Sequence, residues 1–118
     1  DIRYLPTQTM EDIIAQIESV TGKNVHLNMY SKPVKTEESD PFITLLRPII
    51  ERNTKQDAVI FGQHGSADTV FFAAYGIPAI EFGPKGENWH GDRECVNLES
   101  VAVYQKMLVD FASAFVLN

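Results

Sequence analysis

The sequence predicts an α/β fold, because segments with the two-residue period of strands alternate with segments that have the period of amphipathic helices. One strand, helix and strand are predicted over residues 1–31, and a second such unit over residues 58–82. A unit of this size implies a parallel strand pair joined by a right-handed crossover. The length of 118 residues, with 44% hydrophobic side chains, suits one small globular body.

The first predicted unit begins with a strand at residues 1–5, where polar and apolar side chains alternate until Pro6 interrupts. Thr9 stands at the N-cap position of a helix whose apolar residues repeat at three and four, and Gly22 supplies its end. Residues 25–30 alternate again and predict a second strand with one buried face.

A linker is predicted at residues 32–40, and a helix follows it. Asp40 and Pro41 have the pattern of an N-cap and a first-turn proline, whereas Pro48 predicts a bend because it removes one backbone hydrogen bond. The apolar stripe of this helix consists of Phe42, Leu45, Leu46, Ile49 and Ile50.

The second predicted unit starts with a short buried strand at residues 58–61. Ser66 is predicted to cap a helix that ends at Gly76, and residues 77–82 form the next strand. Asn97 then caps a last helix whose apolar residues step by three and four, and we expect this helix to dock on the sheet.

Composition excludes several functional classes. With 16 acidic against 10 basic residues and a net charge of -6, the chain is a poor match for nucleic acid. Its apolar stretches, such as residues 101–103 and 111–117, are shorter than the roughly 20 residues that span a bilayer. Cys95 is the only cysteine, which favours the reducing cytoplasm. The first residue is not methionine, so we expect the chain to be the tail of a longer polypeptide.

The first candidate site is the loop at residues 62–68, which connects a predicted strand to a predicted helix. Its glycines and free backbone N–H groups could bind a carboxylate or phosphate near Gly65 and Ser66. The glycine spacing matches neither the phosphate loop of nucleotide hydrolases nor the dinucleotide fingerprint. An ordinary helix start, with Ser66 as cap and Asp68 in the first turn, is the simpler interpretation.

The second candidate site is the polar loop at residues 83–94, with His90 at its centre. A long irregular loop inside a compact domain is often functional. A metal site needs three or four convergent ligands, and this loop has a single histidine with carboxylates near it, of which Glu94 could orient the ring. His64 and His26 are weaker candidates. His64 lies in the loop at residues 62–68, and His26 lies on the polar face of the predicted strand at residues 25–30.

Three ordered motifs carry a family resemblance. They are Gly-Ser-Ala-Asp at residues 65–68, Gly-Ile-Pro-Ala-Ile-Glu-Phe-Gly-Pro at residues 76–84, and His-Gly-Asp-Arg-Glu-Cys-Val at residues 90–96. Their order and types resemble the C-terminal third of the M20 metallopeptidases, in the branch that contains succinyl-diaminopimelate desuccinylase and acetylornithine deacetylase. The resemblance implies a zinc-peptidase-like α/β sandwich interrupted by a ferredoxin-like lid. Residues 1–31 would be the second half of the lid, and residues 41–118 the C-terminal portion of the catalytic domain.

The same resemblance implies roles for five residues. His90 matches a metal ligand, and Glu94 completes the motif around it. Gly65 and Ser66 match the positions that bind a substrate carboxylate, and Arg3 matches an arginine that reaches from the lid to that carboxylate. The sequence departs from the usual pattern because threonine is commoner at the position of Ser66, which leaves the substrate preference open.

The implied activity is hydrolysis of the amide bond of N-acyl amino acids, such as N-succinyl-diaminopimelate or N-acetylornithine, or of short peptides. The implied cofactor is a pair of zinc ions, with cobalt or manganese as substitutes. No catalytic residue and no further ligand of the family's set lies in this chain, so we expect it to be inactive alone. The implied partners are the N-terminal remainder of the catalytic domain and a second copy bound through the lid.

Two other functions remain open at the level of sequence. A non-catalytic dimerisation or small-molecule-binding module would use the exposed strand edges of residues 1–31. A flavodoxin-like small-molecule binder would require the resemblance to be accidental. An upstream His-x-Asp segment and a Glu-Glu pair in the parent reading frame would favour the metallopeptidase.

Overall fold

The computed structural model describes residues 1–116 of the chain, so residues 117–118 of the predicted catalytic portion, and the end of the apolar stretch 111–117, lie outside the described residues. The elements in chain order are α1 (Met10–Thr21), α2 (Pro41–Thr54), α3 (Thr69–Ala73), β1 (Gly86–Glu87), β2 (Cys95–Val96) and α4 (Leu98–Val116). Two compact units contain them. The first unit combines Asp1–Thr36 with Gly62–Ile80, and the second combines Glu37–Phe61 with the chain from Glu81 onward.

Helix α1 of the first unit begins and ends where the sequence predicts. The Thr9 hydroxyl accepts a hydrogen bond from the backbone N–H of Asp12 at 3.1 Å and donates one to the Asp12 carboxylate at 2.6 Å. Gly22 ends the helix at a φ of 64°, where its N–H donates to the carbonyl of Glu18. A positive φ at this position explains the glycine, because other residues adopt it at a cost.

The predicted strands at residues 1–5, 25–30, 58–61 and 77–82 form no ladder among the described residues, which is a correction to the expected parallel sheet. A strand is stabilised by hydrogen bonds to a neighbouring strand, and these segments have no such neighbour. Their side chains are correspondingly open, with Met29 87% and Val59 73% exposed. The observed mixture of helices and few strand residues is compatible with an α/β peptidase fragment, whereas the half-lid stays a prediction.

Side chains provide the contacts that a ladder would otherwise supply in the first unit. The Thr36 hydroxyl donates to the carbonyl of Ala79 at 2.6 Å and accepts from its N–H at 3.1 Å. The Tyr4 hydroxyl donates to the carbonyl of Ser31 at 3.0 Å. Desolvation and the neighbouring Tyr30 hydroxyl raise the pKa of Tyr4 to about 12, so this hydroxyl remains a hydrogen-bond donor to a higher pH than an ordinary tyrosine with a pKa of 10.0.

Helix α3 is shorter than the predicted helix that starts at Ser66. Asp68 precedes it without a side-chain capping bond, so the expected capping role of Ser66 is wrong. The first turn closes through backbone bonds from Val70 to Ala67 and from Phe71 to Asp68, which span three residues as in a 3₁₀ turn.

Helix α2 of the second unit also confirms its predicted start. The Asp40 carboxylate accepts from the N–H of Phe42 at 2.9 Å, and Pro41 occupies the first turn. The helix continues past Pro48 to Thr54 and ends at Lys55, which has a φ of 58°. The proline is therefore accommodated on the exposed side of a continuous helix.

The core of the described residues lies between α2 and α4. The buried side chains are Ile43, Leu46, Ile49 and Met107, and all belong to these two helices. Two aromatic contacts extend the core, with ring centroids 5.5 Å apart for Phe42 and Phe115 and 5.2 Å apart for Phe82 and Tyr104. No residue described in the first unit is buried.

A shared carboxylate joins α2 and α4 beside this core. Asp110 accepts hydrogen bonds from Lys106 at 2.8 Å, from Asn53 at 3.0 Å and from Arg52 at 3.1 Å. Its side chain is 22% exposed. These donors, led by Lys106, hold the pKa of Asp110 well below its usual range.

The hairpin of the second unit starts inside the predicted polar loop at residues 83–94 and ends just after it, because β1 is Gly86–Glu87 and β2 is Cys95–Val96. Gly86 pairs with Val96 and Glu87 pairs with Cys95 in an antiparallel register. Lys85 attaches this hairpin to the start of α4, because its N–H donates to Ser100 Oγ and its carbonyl accepts from the N–H of Asn97, both at 2.9 Å. The predicted cap of α4 is confirmed, since Asn97 Oδ1 accepts from the N–H of Ser100 at 2.9 Å. Within the described part of the chain, no helix is long and apolar enough to cross a bilayer.

We expect Asp110→Asn to lower the melting temperature at neutral pH, because an amide loses the charge that three donors stabilise. The folded-state pKa is lowered, so the stabilisation is complete above the ordinary value of 3.8 and is lost as pH falls through the folded-state pKa. Circular dichroism melts from neutral pH down to about pH 2 measure this difference. Asp57→Asn, which alters an exposed carboxylate, is the control. Parallel pH profiles for the wild type and Asp110→Asn would contradict the assignment.

Replacing Pro48 by Ala should stabilise the second unit by about 1–2 kcal/mol, because it restores a backbone hydrogen-bond donor inside α2. This gain is partly offset because alanine gives the unfolded chain more conformational entropy than proline does. Pro48 is exposed, so the substitution leaves no cavity. Urea unfolding measures the change. Pro41→Ala is the matched control, because a first-turn proline lacks only a donor that the helix does not use. Equal effects of the two substitutions would show that Pro48 is not strained.

Candidate functional site

The hairpin loop between β1 and β2 presents His90. The imidazole is exposed, and the backbone of His90 has a φ of 63°. This left-handed conformation costs a non-glycine residue roughly 1 kcal/mol, although asparagine and histidine adopt it more often than most. Such outliers cluster at functional sites, where the surrounding structure maintains them.

Asn88 stabilises the same loop, and its contribution was not predicted from the sequence. It also has a positive φ, of 56°. Its side-chain amide donates to the carbonyl of Arg93 at 3.3 Å, and its own carbonyl accepts from the N–H of Gly91 at 2.9 Å. The N–H of Glu94 in turn donates to the carbonyl of Gly91 at 3.0 Å. The turn residues Asn88 and Gly91 were the available sequence signal for this hairpin.

Trp89 packs closely on the start of β1. A Cβ added at Gly86 would lie 2.7 Å from Trp89 Nε1 and 3.4 Å from the carbonyl oxygen of Cys95. Glycine is therefore required at residue 86 for this approach, because no side chain fits between the strand and the indole. An open depression of about 500 Å³ adjoins it, lined by Pro84, Gly86, Trp89, Glu94, Cys95 and Val96.

Glu94 lies on this depression and is exposed. In the described residues no hydrogen bond joins its carboxylate to the imidazole of His90, so the proposed orienting role stays a prediction. The part of the chain that the structure describes contains no group of three or more His, Cys, Asp or Glu side chains that could hold a metal ion.

The predicted carboxylate-binding residues lie in the first unit. Gly65 and Ser66 are exposed in the loop before α3, as is His64. The Arg3 guanidinium forms an ion pair with Asp1 at 2.7 Å, and its side chain is 48% exposed. Among the described residues, no hydrogen bond joins Arg3 to Gly65 or Ser66. Their proposed cooperation on one substrate group remains a prediction.

We expect Gly86→Ala to displace the Trp89 indole, because the added methyl group would overlap Nε1. Trp89 is the only tryptophan, so its fluorescence reports this displacement directly. Emission should shift and acrylamide quenching should rise. Gly83→Ala is the matched control from the same loop, since nothing lies within 4 Å of a Cβ there. Identical spectra for the two variants would contradict the packing described.

Comparison with known proteins identifies the family. The model of the peptidase family M20/M25/M40 matches residues 6–114. The chain is 26% identical over 121 residues to a succinyl-diaminopimelate desuccinylase of Helicobacter hepaticus, an alignment that covers 100% of this chain and 31% of the relative. It is 27% identical over 104 residues to the protein of the same name from a Nitratiruptor species, covering 86% of this chain and 29% of the relative.

The chain therefore spans about a third of the length of these curated relatives. No solved structure matches it significantly. The family match extends over all four helices except the last residues of α4, and it includes the loops that contain Ser66 and His90. This chain belongs to the peptidase family M20/M25/M40.

Proposed function

We propose that this chain supplies part of the active site of an M20-type hydrolase that cleaves the amide bond of N-acyl amino acids. Family membership and relatives named succinyl-diaminopimelate desuccinylase support a hydrolase of this kind. The observation that carries the proposal is His90, an exposed imidazole maintained in a left-handed conformation at the tip of a braced hairpin.

His90 is proposed as one metal ligand, with zinc as the expected metal. In this proposal the remaining ligands and the general base come from polypeptide outside this chain, since a zinc site needs three or four convergent ligands. The chain alone is accordingly proposed to be inactive. Within this proposal the residues of the chain bind the metal and the substrate.

Arg3, Gly65 and Ser66 are proposed to bind the substrate carboxylate. An arginine can form two parallel hydrogen bonds to a carboxylate, and backbone N–H groups near Gly65 could complete the contact. The ion pair with Asp1 is compatible with this role, because an exposed pair of this kind is worth at most about 1 kcal/mol and is readily exchanged.

The proposed setting is a cytoplasmic homodimer that associates through the lid half at residues 1–31. Exposed apolar side chains there, such as Leu5 at 64% and Val20 at 87%, support an association surface. A non-catalytic dimerisation or binding module is the alternative. This alternative predicts that the protein encoded by the complete reading frame does not hydrolyse amides. An assay of amine release from N-succinyl and N-acetyl amino acids distinguishes the two functions, because only the hydrolase releases amine.

Replacing His90 by Ala in the complete protein should reduce bound metal and abolish turnover, because a ligand is removed. Metal content is measured by mass spectrometry beside the rate of amine release. His26→Ala is the control, since His26 is exposed in the first unit and has no proposed ligand role. Full metal content in the His90 variant would show that this residue is not a ligand.

Replacing Arg3 by Ala should leave the metal content intact and lower kcat/KM. The drop should correspond to a loss of transition-state stabilisation on the order of 2–4 kcal/mol, as expected when a charge-assisted contact to the substrate is lost. Lys23→Ala removes an exposed charge from the same unit and should change kcat/KM little. Steady-state kinetics on a carboxylate-bearing substrate give the comparison. Wild-type kinetics in the Arg3 variant would place this residue outside the substrate site.

A further inference from the structure

The turn that contains His90 has a strained geometry. The N–H of Gly91 donates to the carbonyl of Asn88 at 2.9 Å, which closes a tight turn over residues 88–91. His90 is the third residue of this turn and has a φ of 63°, whereas the φ of Trp89 before it is negative. A type II turn has this pattern, and glycine or asparagine is usual at its third position. A histidine there needs other contacts to maintain the conformation.

A second turn follows directly and restricts the first. The N–H of Glu94 donates to the carbonyl of Gly91 at 3.0 Å, so Gly91 belongs to both turns. A Cβ added at Gly91 would lie 3.0 Å from the carbonyl oxygen of Asn88, because the backbone approaches itself closely there. A movement of the second turn would therefore displace Gly91 and, through it, the turn that contains His90.

The side chain of Asn88 connects the two turns. Its Nδ2 donates to the backbone carbonyl of Arg93, in the second turn, at 3.3 Å. The backbone of Asn88 has a φ of 56°, which asparagine adopts more readily than most residues other than glycine. Asn88 therefore contacts the second turn through its side chain while its own carbonyl closes the first turn.

The imidazole of His90 is available to a ligand. It is exposed, and in the part of the chain that the structure describes no hydrogen bond engages its ring nitrogens. This donor chemistry fits a metal ligand, because histidine binds metals through a ring nitrogen. In most metal sites a carboxylate or carbonyl bonded to the other ring nitrogen orients the imidazole. Within this chain the orientation of His90 depends instead on the backbone of its turn.

We propose that Asn88 is a positioning residue for metal binding, because its hydrogen bond to the carbonyl of Arg93 maintains the turn in which His90 acts as a ligand. This inference rests on the proposed function, since it requires His90 to bind the metal. A ligand that is already held in its binding conformation loses less conformational entropy on binding. Loss of the Asn88 hydrogen bond should therefore weaken metal binding although every ligand is still present.

Zinc titration of the metal-free protein encoded by the complete reading frame tests the proposal. Asn88→Gly removes the side-chain hydrogen bond and keeps a residue that adopts a positive φ readily. We expect the Kd for Zn²⁺ to rise about tenfold, as for other residues that orient a metal ligand. Asp92→Gly is the matched control, because it places a glycine at an exposed position of the same loop. It also removes a negative charge, so it includes the general effects of flexibility and charge, and its Kd should change less than about threefold.

Asn88→Asp is a second variant that adds no glycine to the loop. It lacks the N–H donor at nearly unchanged size, and its negative charge would by itself favour a cation. Weaker zinc binding by this variant supports the proposal, and unchanged or tighter binding would contradict it.

The visible absorption of Co²⁺ bound in place of zinc gives a second readout, because it reports the geometry of the ligands and not the stability of the fold. The spectrum should change in both Asn88 variants and match that of the wild type in Asp92→Gly. Wild-type spectra in both Asn88 variants would show that the hydrogen bond does not position the ligand.

His90→Ala separates this inference from the function on which it rests. If His90→Ala loses zinc whereas both Asn88 variants keep wild-type affinity, the positioning role is refuted and the proposed function stands. If His90→Ala keeps its full zinc affinity, both are refuted. Equal losses of affinity in Asn88→Gly and Asp92→Gly would also overturn the inference, because general flexibility of the loop would account for them.

Discussion

The packing of α2 against α4 is the constraint on which the rest of the second unit depends. The four buried side chains of the described residues lie in this helix pair, and Asp110 connects the two helices beside them through Arg52 and Asn53. Charge-assisted bonds to one partly shielded carboxylate are stronger than neutral ones, and they fix the register of the two helices. Apolar contacts alone would tolerate sliding, because they have little directionality.

The position of His90 follows from this helix pair. Lys85 attaches the hairpin to the first turn of α4 through both of its backbone groups, and the β1 and β2 pairs then lead to the loop that contains His90. Asn88 and Trp89 restrict the loop from within. A candidate ligand is thus attached to the most buried part of the chain, which suits a site that requires fixed geometry.

The first unit contrasts with this arrangement. It contains α1 and α3 but no buried residue, and its predicted strands are joined by side-chain bonds in place of a ladder. The candidate substrate residues Arg3 and Ser66 lie in this unit, and their cooperation with His90 stays a prediction.

Local chemistry allowed the sequence by itself to determine helices α1, α2 and α4 and the family. Thr9, Gly22, Asp40 and Asn97 act where predicted, because a capping bond involves residues two to four positions apart. The motifs around Ser66 and His90 identified the family for the same reason, since each is contiguous. Tertiary structure alone decided that the four predicted strands form no ladder among the described residues. It also decided that Asp110 accepts hydrogen bonds from both helices and that the backbone of His90 is left-handed. Each of these depends on partners distant in the chain or on a balance of strain and packing, which no local pattern encodes.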